Sequence, residues 1–199
     1  MKILVRLVVG ILVLIVLAGG GLYVAAQQQP GVAQGLKAVP TSSASAQSFD
    51  SKVDAINKAA ADAKKTGKAV PVEVGFTEQE LTTKAAQAAA SQSADSAIQA
   101  TDTQIHLSGD QIIATSTVKV SGVSVNIGVV AVPTVVNGQT QIVIQQVQTG
   151  ALPLPDAIKS QINAQIGSAI DPAKFGLPID VSQIQVVNGQ LVIKGTAKP

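Results

Sequence analysis

Residues 98–148 carry the feature that most constrains the fold: four β-strand patterns in a row, separated only by tight-turn signals. The turn signals are Ser108-Gly109-Asp110, Ser121-Gly122 and Asn137-Gly138. Asn-Gly between two β-branched runs favours a type I′ hairpin, because both central residues of that turn need a positive φ. Strands joined by such short connections pair antiparallel. The sequence therefore predicts one antiparallel β-meander, which the rest of the chain covers or tethers.

The middle of this meander is predicted to be apolar on both faces. The first two strands alternate apolar and polar residues, as in a half-buried hairpin. The next two strands present apolar side chains in both directions. The opposed sets are Val123, Val125, Ile127, Val129 and Ala131 against Val130 and Val132, then Ile142 and Ile144 against Val143 and Val147. A sheet with two apolar faces must be covered twice, by helices on one side and by a second layer, a partner chain or an apolar ligand on the other.

Residues 7–26 form a run of twenty residues without a charge, and as a helix such a run spans about 30 Å, the thickness of the bilayer core. Lys2 and Arg6 precede the run and the next positive residue is Lys37, so the positive-inside rule places the N-terminus in the cytoplasm. We therefore expect a signal anchor at residues 1–26, a single span of the cell membrane, with the body outside the cytoplasm. The alternative is a signal peptide cleaved after Ala26, because Val24-Ala25-Ala26 offers small residues. The body is exported in either case.

Residues 27–48 are rich in Gln, Pro, Gly, Ser and Ala and contain almost no charge. This composition is typical of a flexible stalk, which would reach about 25 Å by random-coil scaling. The predicted organisation is therefore an anchor at residues 1–26, a stalk at 27–48 and an α+β domain at 49–199.

Two helices are predicted before the meander. The first covers residues 50–65, with a stripe of Val53, Ile56, Ala60 and Ala63, and ends at Gly67. Residues 70–74 can form an edge strand, where Pro71 is tolerated. The second helix begins at a capping box made by Thr77 and Glu80 and extends to about residue 91. Its predicted staple pairs Phe76 with Leu81, and its predicted inward face is Leu81, Ala85 and Ala88.

After the meander, residues 150–155 break the sheet with two prolines, and Asp156 suits the start of a further helix. Every fourth residue of that helix is isoleucine, which predicts a narrow aliphatic ridge: Ile158, Ile162, Ile166 and Ile170. Asp171-Pro172 ends the helix. The chain closes with a predicted hairpin of residues 181–187 and 191–195, turned by Asn188-Gly189.

Composition excludes several classes of function. Two of the fourteen Lys and Arg residues precede the apolar run, which leaves twelve against twelve Asp and Glu in the body. A neutral body argues against nucleic acid, whose phosphates require a basic surface. The chain has no cysteine, and therefore no disulfide, thiolate metal site or cysteine nucleophile. No segment has EF-hand, zinc or phosphate-loop spacing, so no metal or cofactor is expected.

No catalytic residues are predicted, and we do not expect an enzyme. His106, the single histidine, lies on the polar face of its strand and is expected to be solvated. Asp102 is four residues away, which at about 3.3 Å per residue is too far for a direct hydrogen bond. A nucleophile–His–Asp arrangement could be completed by a distant residue such as Ser108, but nothing local supports one.

The order of motifs resembles bacterial envelope families related to the LmeA-like phospholipid-binding proteins and to YpmS-like membrane-anchored proteins. The resemblance covers residues 70–195 and rests on segments 76–81, 137–138, 152–155, 177–178 and 186–195. It implies a tubular lipid-binding type of fold, in which a strongly curved antiparallel sheet wraps against a long helix with lipid chains between them. The predicted fold class is accordingly α+β, with a curved antiparallel meander packed against two or three helices. The resemblance transfers no catalytic residue.

These observations lead to two functional hypotheses. The first is a non-catalytic, membrane-anchored binding module for a lipid acyl chain or a similar apolar ligand, motivated by the two-faced strands, the isoleucine ridge and the membrane tether. Each buried methylene of the chain contributes about 0.8 kcal/mol, so even a short groove could hold a lipid. The second is a structural or interaction domain of the cell envelope with a dry core, which binds an unidentified protein. The residues expected to line the apolar groove are Val125, Ile127, Val129, Ile142, Ile144, Ile158, Ile162 and Ile166.

Overall fold

The computed structural model describes residues 28–91, 98–120, 123–136, 139–150, 152–153 and 178–198. These residues form two α-helices and two antiparallel sheets, so the predicted α+β class is confirmed. The helices are α1 (Ser43–Thr66) and α2 (Glu78–Ala90). The strands are β1 (Val70–Thr77), β2 (Ile98–Ser108), β3 (Gln111–Val120), β4 (Val123–Val136), β5 (Gln139–Thr149), β6 (Leu152–Pro153), β7 (Asp180–Val187) and β8 (Gln190–Ala197).

The predicted meander is the large sheet, with strand order β2-β3-β4-β5-β6. Its two faces can be read from the cross-strand pairs, because paired residues point to the same side. The inner face carries the row Ile105, Ala114, Val129 and Val147, and the outer face carries the row Gln104, Thr115, Gly128 and Gln148. The register shifts once between β2 and β3, at Thr101 and Gln104, and once between β4 and β5, opposite Val130 and Ala131.

The small sheet has the order β1-β8-β7. The predicted closing hairpin is present, and Asn188 and Gly189 both have positive φ, at 52° and 69°, as a type I′ turn requires. β1 is an edge strand, as predicted from Pro71, and pairs with β8 from Val70 to Thr77. β7 lies against β4 and β5, so the small sheet packs on the large one.

Helix α1 ends where predicted, at Gly67 with φ 66°, but it begins seven residues earlier than predicted. The Ser42 hydroxyl caps it by accepting a hydrogen bond from the Ser45 N–H at 3.0 Å. The added turns bring Phe49 into the core, beside the predicted stripe residues Ile56, Ala60 and Ala63. Small residues at 43–48 have little apolar periodicity, which is why the sequence pattern missed this start.

Helix α2 begins at the predicted capping box: the Thr77 hydroxyl accepts from the Glu80 N–H, and Glu80 accepts from the Thr77 N–H. The helix runs beside β2, the edge strand of the large sheet. Thr82 Oγ1 accepts the Ile105 N–H at 2.9 Å and donates to the Ile105 carbonyl at 3.1 Å, and Glu78 accepts the Leu107 N–H at 2.6 Å. Side chains of α2 thus satisfy backbone groups that an open edge would leave available for aggregation.

The segment predicted to be a flexible stalk packs on the sheet instead. Residues 28–39, here called the strap, cross the outer face along its central row. The Val32 N–H donates to Gln148 Oε1 at 2.9 Å on β5, and the Val39 N–H donates to Gln104 Oε1 at 2.6 Å on β2. At its N-terminal part the strap passes over Gly128, where a Cβ would collide with the Val32 side chain and lie 2.8 Å from Pro30 Cβ. The missing side chain permits this close approach.

The strap therefore supplies the second cover that the two-faced sheet requires. Pro30, Ala33 and Val39 are buried within it. The composition wrongly predicted an unpacked stalk, because the strap needs only these few apolar side chains to pack on the sheet. Hydrogen bonds to Gln104 and Gln148 supply further contacts. Residues 28–48, predicted as a stalk, are thus part of the folded body as strap and as the start of α1.

Two predicted elements fall outside the described residues: the membrane span at 7–26 and the isoleucine helix at 156–170. Among the described residues, no helix combines the length and hydropathy needed to cross a bilayer.

Candidate functional site

Five of the predicted groove residues lie on the inner face of β4 and β5 and are here called the inner strip: Val125, Ile127, Val129, Ile142 and Ile144. Ile127, Val129 and Ile144 are 1%, 3% and 4% exposed, whereas Val125 and Ile142 are half-buried. Cross-strand pairing places all five on one face, since Val129 pairs with Val147, and Ala131 and Pro133 pair with Ile144 and Ile142. The other predicted residues, Ile158, Ile162 and Ile166, lie outside the described residues.

A β-bulge at Gln145 changes one prediction about β5. Strict alternation predicted that Val147 lies on the same sheet face as Val143 and on the other face from Ile144. Because Val130 pairs with Gln146 while Ala131 pairs with Ile144, Gln145 is an extra residue that shifts the alternation by one. Val147 therefore joins Ile144 on the inner face, where it is fully buried, and Val143 is left 39% exposed.

The inner strip is distinct from the main core. The main core joins α1, α2 and the small sheet to the β2–β3 end of the large sheet, the end that carries Ser108 and Gln111. It contains Ile105 and Leu107, with Ile112 and Val135 packed against it. Within the described part of the chain, Ile127, Val129 and Ile144 are not members of that cluster. The inner strip thus continues the same apolar face toward the opposite end of the sheet. That end carries Val120 and Val123 and is here called the β3–β4 end.

One buried polar pair borders the inner strip. Ser116, which pairs with Ile127, exchanges a hydrogen bond of 2.9 Å with the Thr103 hydroxyl and donates to the Thr101 carbonyl at 2.9 Å. Both hydroxyls are satisfied, as buried polar groups must be. Their bonds hold the bulge of β2, where Asp102 takes a positive φ of 52°. The pair stabilises the strand and leaves the adjacent face apolar.

A separate cavity of about 550 Å³ lies between the C-terminal half of α2 and the bulge of β2. Beyond Thr82, α2 carries alanines facing the strand, and these leave space that longer side chains would fill. The cavity is lined by Thr41, Ala86, Ala89, Ala90 and residues 99–104, and none of the five groove residues that the structure describes contributes to it. Its volume is within the range of small-molecule pockets. Two features of the sequence could have indicated this cavity: the alanine-rich end of α2 and the uninterrupted polar residues 101–104.

A cluster of ion pairs and aromatic rings joins α1 to the start of α2. Lys52 Nζ lies 2.7 Å from Glu80 Oε2, and Lys84 Nζ lies 2.9 Å from Asp50 Oδ1. Each ammonium also lies 5.7 Å from a phenylalanine ring centroid, Lys52 over Phe76 and Lys84 over Phe49, and the two rings are 4.8 Å apart. The quadrupole of each ring attracts the ammonium above it.

Glu80 is the most buried acid of this cluster, at 4% exposure. Burial alone would raise the pKa of Glu80, but hydrogen bonds from Lys52, the Ser48 hydroxyl and the Thr77 N–H outweigh it and lower the pKa. Each carboxylate oxygen is therefore occupied by a partner. These contacts fit a structural role between two helices.

His106 is buried, in contrast to the solvated position predicted for it. It lies on the outer face, two residues from Gln104, which anchors the strap. The outer face, which the alternation pattern classed as wet, is therefore partly buried at this strand. Among the described residues, no three His, Asp or Glu side chains are grouped as they would be around a metal ion.

Comparison with protein-family models, with curated proteins and with solved structures found no match to this chain.

Proposed function

We propose that this protein is a non-catalytic, membrane-anchored binding module of the cell envelope, with its body outside the cytoplasm, which holds a lipid acyl chain or a similar apolar ligand. The observation that carries the proposal is the inner strip. Its side chains form a continuous aliphatic surface on β4 and β5, bordered by hydroxyls that already have partners. An acyl chain needs such a surface and makes no demand for polar contacts.

The proposed ligand lies between the inner strip and the isoleucine ridge predicted at residues 158–166. That arrangement corresponds to the fold implied by the resemblance to LmeA-like and YpmS-like proteins. The apolar run at residues 7–26 would keep the site close to a source of lipid.

The second candidate is an interaction domain with a dry core, which binds another envelope protein. The strap favours this candidate, because it covers the outer face with the chain's own residues. One of the two apolar faces therefore needs no ligand, and the lipid proposal depends on the inner strip alone.

Photo-crosslinking of the full-length protein in membranes with a diazirine fatty acid tests the two candidates. Adducts located by peptide mass spectrometry are expected in residues 7–26, which contact bilayer lipid, and also in β4 and β5. Ile144→Phe narrows the proposed groove and should reduce the β4 and β5 adducts severalfold. Val143→Phe, on the neighbouring exposed position, is the matched control and should leave them unchanged.

Adducts confined to residues 7–26 would refute the lipid site while retaining the anchor. Thermal unfolding of the same variants provides an independent readout. In a dry core the added ring of Ile144→Phe overpacks the interior and costs about 1–3 kcal/mol. In a groove that holds a removable ligand, the ring occupies the ligand's space and the cost is smaller.

A further inference from the structure

The strap fixes where the chain leaves the folded body. Asn126 Nδ2 donates to the Gln28 carbonyl at 3.4 Å, and the Gly150 N–H donates to the Asn126 carbonyl at 2.7 Å. Asn126 lies toward the β3–β4 end of the large sheet, two residues before Gly128. The main core is at the other end of the same sheet. The chain that precedes Gln28 therefore starts from the β3–β4 end.

The bound strap leaves almost no free tether. One residue, Gln27, separates Gln28 from Ala26, the last residue of the apolar run. Two extended residues span at most about 7 Å, whereas the free stalk predicted from composition would reach about 25 Å. Asn126 and Ser124 are separated by the same two-residue length along β4. With Gln28 held at Asn126, two residues allow the chain to reach as far as Ser124 and not much farther.

The side chains at this end suit a lipid headgroup layer. Ser124 and Lys119 are paired across β4 and β3, and both are exposed, as are Gln28 and Gln29. Among the described residues at this end, the charged groups are Lys119 and the exposed Asp102, one of each sign. Lys119 can approach lipid phosphates, and the polar amides and hydroxyls can hydrogen-bond headgroups without burying a charge.

We propose that the strap holds the β3–β4 end of the large sheet directly against the membrane surface, so that the body has a fixed orientation on the bilayer. This inference rests on the anchor included in the proposed function. Its partner is the lipid headgroup layer, and its contact surface is Gln28, Gln29, Lys119 and Ser124. The opposite end of the sheet, at Ser108, faces away from the bilayer.

Because the chain contains no cysteine, single-cysteine labelling of the full-length protein measures this orientation. Ser124→Cys and Ser108→Cys are matched exposed positions, separated by about 27 Å of strand at 3.4 Å per residue. The probe is energy transfer from each labelled cysteine to acceptor-labelled headgroups in phosphatidylcholine nanodiscs. We expect severalfold more efficient transfer from position 124 than from position 108.

A strap variant tests the cause of the orientation. Pro30→Ser combined with Val32→Ser removes the strap's contacts at Gly128 and leaves the sheet unchanged. Transfer from the two positions should converge in that variant, because the body then moves on a free tether. Gln34→Ser, at an exposed strap position, is the control and should preserve the difference.

Equal transfer from positions 124 and 108 in the otherwise unaltered protein would overturn this inference. Failure of the full-length protein to incorporate into nanodiscs would instead refute the anchor, and with it the proposed function. Circular dichroism of each labelled variant verifies that the body is folded.

Discussion

At the residue scale, Glu80 combines two roles that the sequence shows only in part. Its capping role is local, since the bond to the Thr77 N–H joins residues three positions apart. Its bonds to Ser48 and Lys52 join it to α1, about thirty residues earlier. The residue that caps α2 thus also links α2 to α1.

Glu80→Gln keeps the shape of the side chain and removes its charge, which leaves Lys52 without a counter-ion at a largely buried site. We expect a loss of about 1–3 kcal/mol in the free energy of unfolding, measured by urea denaturation. Glu73→Gln is the matched control, because the Glu73–Lys194 pair of 3.0 Å is exposed. The control should change stability by about 0.5 kcal/mol or less, and equal losses in both variants would contradict the assigned role.

The stability difference between the unaltered protein and the Glu80→Gln variant should depend on pH with a defined sign. The pKa of folded Glu80 is below its ordinary value of 4.5, so ionised Glu80 stabilises the fold above that pH. This contribution should be lost as the pH falls from 4.5 through the lowered pKa. In urea denaturation at a series of pH values, the advantage over the variant should accordingly be largest near neutral pH and shrink in acid.

At the scale of elements, α2 protects the edge of the large sheet through side-chain bonds. Thr82 and Glu78 are one helical turn apart, about 6 Å, and they match Ile105 and Leu107, which are two strand residues or about 7 Å apart. The match ends with the alanines of the last turns, where the cavity opens. The side chains of the first turns of α2 therefore bond the backbone of β2, whereas the alanines of its last turns cannot.

Thr82→Val is nearly isosteric and removes both bonds to Ile105, leaving a buried N–H and carbonyl without their partner. The expected cost is about 2–3 kcal/mol in the free energy of unfolding, measured by thermal or urea denaturation. Thr66→Val is the control, since the Thr66 hydroxyl donates to the Asp62 carbonyl on the exposed surface. A cost at Thr82 no greater than at Thr66 would show that α2 does not seal the edge.

At the scale of the whole molecule, the strap makes the N-terminal segment part of the fold. It buries Pro30, Ala33 and Val39 and crosses the face that carries His106 and Val130, both of which are 7% exposed. A body that lacked it would leave Gln104 and Gln148 without their strap partners and would uncover the sheet at Gly128, beside Val130. An uncovered sheet face of this kind can promote association.

Truncation tests this point. A chain starting at residue 28 should remain monomeric in sedimentation analysis, whereas one starting at residue 40 should be less stable and self-associate. The physical reason is the outer face that residues 28–39 cover. Two monomeric fragments of equal stability would show that the strap is an accessory to the fold.

The sequence by itself determined the features that depend on neighbours in the chain. The capping box at Thr77 and Glu80, the C-terminal Gly67 of α1 and the Asn188-Gly189 turn are local conformational requirements, and each was correctly predicted. The meander followed from alternation and short connections, and the shared face of Val125, Ile127 and Val129 followed from the alternation within β4.

Tertiary structure alone decided what covers each face. The strap was misassigned because its anchors, Gln104 and Gln148, are 65 and 116 residues away from the backbone N–H groups they bind. The bulge at Gln145 moved Val147 to the inner face, and strict alternation contains no signal for such an insertion. His106 is buried on a sheet face that the alternation pattern classed as polar. Each of these depends on contacts between distant segments, because a local pattern records which side chains share a face and not what lies over it.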